Sequence, residues 1–119
     1  IPMGICTNKR QFVTEKLIEQ MSLDKFFEVV VGAQDNIPLK PKPDMILLTI
    51  DQFNSSNGSF IMVGDTSNDI DAAKSANIQS IAVNGGYTHV DINSLDADYT
   101  LETMEEIIDL FNSFKLDPN

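Results

Sequence analysis

Apolar residues fall along this chain in short compact runs, and between the runs they recur at helical spacing. Met3 to Cys6 is such a run, and beyond Thr7-Asn8 the residues Phe12, Val13, Leu17, Ile18 and Met21 share one helix face. Phe27 to Val31 is rich in β-branched residues and is closed by Gly32, which predicts a strand covered on both faces. Ala33 to Lys42 carries Asp35, Asn36, Pro38 and Pro41 without periodicity, so it reads as a proline-stiffened loop, with Asp44 placed to cap a helix from Met45 to Phe53. The cycle then repeats. Asn54 to Ser59 is turn-like, Phe60 to Val63 a strand, Gly64-Asp65-Thr66-Ser67-Asn68 the entry to a helix reaching Ala76, and Ser80 to Val83 a further strand. Asn84 to His89 is a glycine-bearing loop, Ala97 to Thr100 a short edge strand, and Thr103 a cap for a last helix with Met104, Ile107, Ile108 and Phe111.

Strands alternating with helices predict an α/β fold, a Rossmann-like parallel sheet flanked by helices, since parallel neighbours need right-handed crossovers. The 119 residues, 42% of them hydrophobic, suffice for one core, expected over residues 1–114 with a frayed tail at 115–119. The chain opens Ile1-Pro2-Met3 and enters an apolar run at once, which reads as a cut chain. Eight basic against eighteen acidic residues give a net charge of −10, which argues against nucleic acid and anionic membrane as partners. There is no apolar run of membrane-spanning length and no signal-peptide pattern. The single cysteine, Cys6, excludes a disulfide framework and favours a reducing, cytoplasmic setting.

In an open parallel sheet, sites gather beyond the carboxyl ends of the strands. Those ends here deliver Thr7-Asn8-Lys9, then Lys40-Pro41-Lys42-Pro43, then Gly64-Asp65 with Asn68-Asp69. A hydroxyl, a lysine and a carboxylate pair are what phosphoryl transfer requires: donors and a cation for the phosphate oxygens, and hard oxygen ligands for a divalent metal. Thr7 can donate to a phosphate oxygen, the amides of Asn8 and Lys9 can open an anion-favouring helix, and Lys40 can supply a point charge on a proline-limited backbone. Asp65 and Asp69 lie about one helical turn apart and can face one ion, while Asn68 is placed to contact substrate or to cap. Each residue alone has a plainer reading: helix caps for Thr7, Asn8 and Asp65, and a solvated loop lysine for Lys40. The signal lies in their order. His89 reads as a surface-loop residue rather than a base, and Cys6 as a strand cysteine, since Arg10 is too near for a cysteine-phosphatase loop. Asp71 is assigned to the exposed face of its helix, and Glu102, Glu105, Glu106 and Asp109 to the wet face of the last one.

The ordered set GICTNK, KPKPD and VGDTSNDIDAAKSAN resembles the later signature motifs of the haloacid dehalogenase superfamily, and TNK, KPxP, AAKSAN and GGYTH resemble its phosphoglycolate phosphatase branch. The resemblance implies a magnesium-dependent phosphatase acting on a small phosphorylated metabolite through an aspartyl-phosphate. It makes Thr7 a phosphate ligand, Lys40 the catalytic lysine that neutralises phosphate and nucleophile, and Asp65 with Asp69 the Mg2+ ligands. One departure matters most. The family's nucleophile sits in an Asp-x-Asp motif after the first core strand, and nothing before Thr7 matches it. That strand is the family's sheet centre, between the strand at Met3–Cys6 and the one ending at Val63, and the cap that selects substrate precedes Thr7. The expectation is therefore a core lacking its central strand and cap, inactive alone, with two unpaired strand edges that a missing N-terminal segment or a second copy would complete. The alternatives are a receiver-like signalling or binding module, whose acidic pair should come first and lysine last, and an inactive gene fragment.

Overall fold

The computed structural model describes residues 1–53, 58–84 and 91–113. Strand β1 (Gly4–Arg10) leads directly into helix α1 (Gln11–Gln20), and after a 3-10 turn at Asp24–Phe26 the chain forms β2 (Val29–Ala33). Helix α2 (Asp44–Gln52), β3 (Ile61–Gly64), α3 (Ser67–Ser75) and β4 (Gln79–Val83) follow. A second 3-10 turn at Ile92–Leu95, β5 (Tyr99–Leu101) and α4 (Glu106–Ser113) complete the order.

All the strand pairs are parallel, as alternation with helices demands, but they form two sheets, β1-β2 and β3-β4-β5. Among the described residues no ladder joins β1 to β3, so the sheet is open at the place where the central strand was expected to be missing. What holds the halves together is helix packing. Ile46 on α2 is buried against the fully buried Ala72 and Ala73 of α3, and Cys6 of β1 and Met62 of β3 both pack on that cluster. A second cluster, Val29, Val31 and Met45, binds α2 to β2, and a third, Ile70, Ala82, Ile92 and Leu95, binds α3 to β4.

The β1–β2 ladder is interrupted in a way that prepares the site. Gly4, Ile5 and Cys6 pair with Val29, Val30 and Val31, but the next pair is Arg10 with Ala33, so Thr7, Asn8 and Lys9 bulge out opposite Gly32. The side chain of Gln11 fills the vacated ladder: its Oε1 accepts from the Gly32 N–H at 2.5 Å and its Nε2 donates to the Val30 carbonyl at 3.1 Å. Gly32 is needed for this closure, because a Cβ there would lie 2.7 Å from Gln11 Cα and from the Lys9 carbonyl oxygen.

Several local expectations need correction. The cap position of α1 is Arg10, without a side-chain bond, so Thr7 and Asn8 are not caps and the amides of Asn8 and Lys9 do not open the helix. Pro43 occupies the cap position of α2, with Asp44 in its first turn, and Thr66 rather than Asp65 caps α3, its Oγ1 accepting from the Asp69 N–H at 3.4 Å. Asp24–Phe26 form a turn, which moves β2 two residues beyond the expected start, and α4 begins at Glu106, with Thr103 donating to Glu106 Oε1 at 3.3 Å. The edge strand is confirmed, at Tyr99–Leu101. On α1 only Ile18 of the apolar face is buried, and Phe12, Val13, Leu17 and Met21 are exposed. The His89 loop and the tail from 115 lie outside the described residues. Among the described residues no helix is long and apolar enough to cross a membrane.

Candidate active site

The opening between the two sheets is a cavity of about 340 Å³. Its polar wall is made by Thr7 from the β1 bulge, Lys40 from the loop after β2, Asp65 beyond β3 and Asp69 from the first turn of α3. Cys6, Met62, Val63, Val83 and Met104 make the apolar remainder, so the polar groups sit at the carboxyl ends of the strands above an apolar floor. The order of residues along the chain did bring these four together in space.

Lys40 is the centre of the arrangement. Only 8% of it is exposed, although a loop lysine usually keeps its ammonium in water. Its Nζ donates to the Cys6 carbonyl at 2.8 Å and to Asp69 Oδ1, with which it forms a buried ion pair. The other carboxylate oxygen, Asp69 Oδ2, accepts from the Thr66 hydroxyl at 3.1 Å. A Cβ on Gly64 would lie 2.4 Å from both Asp69 Cβ and Oδ2, so the bare Cα of Gly64 is what lets the carboxylate lie over the end of β3. Behind the ammonium, the Lys40–Pro41 peptide is cis and the Lys42 N–H closes the turn on the Leu39 carbonyl at 2.9 Å. The backbone of Lys40 is held by Asn8, whose Oδ1 accepts from the Lys40 N–H at 3.0 Å while its Nδ2 donates to the Lys40 carbonyl at 3.1 Å.

Thr7 Oγ1 accepts from the Lys9 N–H at 3.2 Å, which leaves its hydroxyl proton to donate into the cavity. Asp65 is half-buried, and among the described residues its carboxylate has no hydrogen bond or ion pair. Asn68 is exposed and does not line the cavity, and Asp71 is exposed as expected. Burial pushes the Cys6 thiol above its ordinary value, against the smaller opposing pulls of Thr49 and Lys40. Sequence reasoning missed Thr66, the Cys6 carbonyl and the clamp made by Asn8.

The residues fit a hard divalent cation as an open site rather than a cage. Asp65 offers an unengaged carboxylate, Asp69 retains lone pairs beyond the two that accept from Lys40 and Thr66, and magnesium commonly takes one or two carboxylates together with water and phosphate oxygens. Among the described residues no three His, Cys, Asp or Glu side chains enclose a metal position.

Residues 1–83 match the haloacid dehalogenase-like hydrolase family. Phosphoglycolate phosphatase of Escherichia coli K12 is 34% identical over 102 residues, which cover 83% of this chain and 40% of that protein. A haloacid dehalogenase-superfamily hydrolase of subfamily IA from Geobacter sulfurreducens superposes with a TM-score of 0.74 at 28% identity, over 92% of this chain and 52% of that one. A protein from Haemophilus somnus described as a predicted phosphoglycolate phosphatase shares the fold with a TM-score of 0.82 at 23% identity, over 92% and 49%. The chain thus spans about half the length of these relatives or less. With the two half-sheets, the cavity between them and a match over residues 1–83, this chain belongs to the haloacid dehalogenase-like hydrolases.

Proposed function

We propose that this chain is the phosphate- and metal-binding part of a cytoplasmic, magnesium-dependent phosphatase that hydrolyses a small, phosphoglycolate-like phosphomonoester, within one partial core domain over residues 1–114. The observation that carries the reading is the convergence of Thr7, Lys40, Asp65 and Asp69 on one cavity. Thr7 donates its hydroxyl to a phosphate oxygen. Lys40 neutralises charge on the phosphate and on an attacking carboxylate that comes from outside this chain and becomes the aspartyl-phosphate. Asp65, supported by Asp69, holds the metal, which supplies compensation for the charge on the transferring phosphoryl group.

The edges of β1 and β3, unpaired among the described residues, support a second component of the proposal: one further strand, from a segment beyond this chain or from a second copy, completes the sheet and brings the nucleophile to Lys40. The experiment is a phosphomonoesterase assay with magnesium. The 119-residue protein is expected to be inactive alone and to bind inorganic phosphate weakly, with Lys40→Ala abolishing that binding. Turnover by the protein alone, unchanged in Lys40→Ala, would overturn the reading.

A further inference from the structure

We infer that Asn8 is the positioning residue of Lys40, a role that deepens the proposed function and rests on it. The sequence makes the backbone amide of Asn8 a phosphate donor at the start of a helix, but that helix starts at Gln11 and the Asn8 carboxamide is engaged elsewhere. Both of its bonds go to one residue, 32 positions away: Oδ1 accepts the Lys40 N–H and Nδ2 donates to the Lys40 carbonyl. A carboxamide presents a donor and an acceptor side by side in one plane, as a peptide edge does, so Asn8 grips the Lys40 backbone in the way a neighbouring strand would. Asn8 does not line the cavity, whereas Thr7 before it does.

The consequence follows from how a lysine is held. Four rotatable bonds separate its backbone from its ammonium, and ordering such a chain costs conformational entropy unless both ends are fixed. Here β1 fixes both. The Cys6 carbonyl takes the Nζ and the Asn8 carboxamide takes the peptide, two residues apart on one strand with Thr7 between them. The loop from Gln34 to Leu39 is otherwise mostly exposed, so the Asn8 clamp ties it to the strand at the residue whose charge the site needs. Gln11 serves the same bulge from the other side, by replacing in the β2 ladder the peptides that Thr7, Asn8 and Lys9 withdrew from it.

The test reads the position of Lys40 without substrate. Amide exchange at Lys40 and acetylation of its Nζ are measured in the parent protein, Asn8→Ala and Asn8→Asp, with the Val31 amide as the internal reference for global opening and the exposed Lys74 Nζ as the reference for reagent reactivity. Asn8→Ala should speed both readouts at Lys40 by roughly tenfold relative to the references. Asn8→Asp keeps an acceptor for the Lys40 N–H and should fall between Ala and the parent, a partial rescue that a general loss of stability would not produce. Unchanged protection in Asn8→Ala, or Asp as exposed as Ala, would overturn the inference. So would weakened inorganic phosphate binding in Asn8→Ala with Lys40 still protected, since that is how a phosphate ligand behaves. Phosphate titration of Lys40→Ala tests the functional reading separately. If that variant binds phosphate normally while the Asn8 series behaves as expected, the phosphatase reading fails and the positioning role stands.

Discussion

Two lysine–aspartate pairs in this molecule are chemically the same and physically opposite. Lys74 and Asp96 meet on the surface, with side chains 44% and 89% exposed, whereas Lys40 and Asp69 meet in the cavity at 7% and 12%. In water the first pair exchanges hydration for a screened contact of little net worth, and its effect is local: the Lys74 hydrogen bond holds the Asp96 carboxyl below the ordinary carboxylate range. In the second, each ion is largely removed from water, so each depends on the other and on the Cys6 carbonyl and Thr66 hydroxyl for compensation. The buried pair carries a desolvation cost that its mutual attraction and these two further hydrogen bonds offset.

The sharpest way to break the comparison is Lys40→Ala. It strands the Asp69 carboxylate, and urea unfolding should show a loss of about 3 kcal/mol. Replacing both partners, Lys40→Met with Asp69→Leu, should recover most of that stability while phosphate binding stays lost. Recovery of binding in the double variant would show that the pair serves the fold alone. Next comes Gly64→Ala, whose methyl must displace the Asp69 carboxylate, with an expected cost of about 2 kcal/mol and weaker metal binding by titration calorimetry.

A smaller effect belongs to Cys6, on the apolar side of the buried pair. Its thiol is raised, so its contribution to stability is complete below the ordinary thiol value near pH 9 and is lost as pH climbs through the higher folded value. Unfolding scans should therefore weaken above pH 9 in the parent and not in Cys6→Ala. Last, Lys74→Ala should leave the urea midpoint unchanged. Asp96 has a lowered carboxyl, so the little that pair adds is present above the ordinary carboxylate range and disappears as pH falls through the depressed value. High salt should erase it.

The apolar runs made the order of strands and helices legible, because burial on both faces leaves few sequence solutions for a short parallel strand. The four cavity residues were legible too, through their place just after those runs. What periodicity could not show was which polar atoms meet across long separations. Asn8 and Lys40 are 32 residues apart, and an asparagine that clamps a backbone looks the same in sequence as one that caps a helix. The burial of Lys40 was hidden likewise, since it comes from Asp69 and from the Cys6 carbonyl rather than from neighbours in sequence. The shift of β2 to Val29 has a local cause: Asp24–Phe26 close a turn first, and periodicity assigns Phe27 to a strand whether or not the backbone is ready.

Gln11 gives the β1–β2 pair something that a parallel ladder lacks, a key to its own alignment. No tight turn links these strands, so nothing in their connection counts residues, and the valines of β2 would accept a neighbouring strand in more than one alignment. A slip of one residue would place Arg10 or Phe12 where Gln11 now bridges Val30 and Gly32, and neither can both donate and accept there. The wrong alignment is rejected by a missing bond rather than by a clash, and the same single alignment sets Asn8 against Lys40.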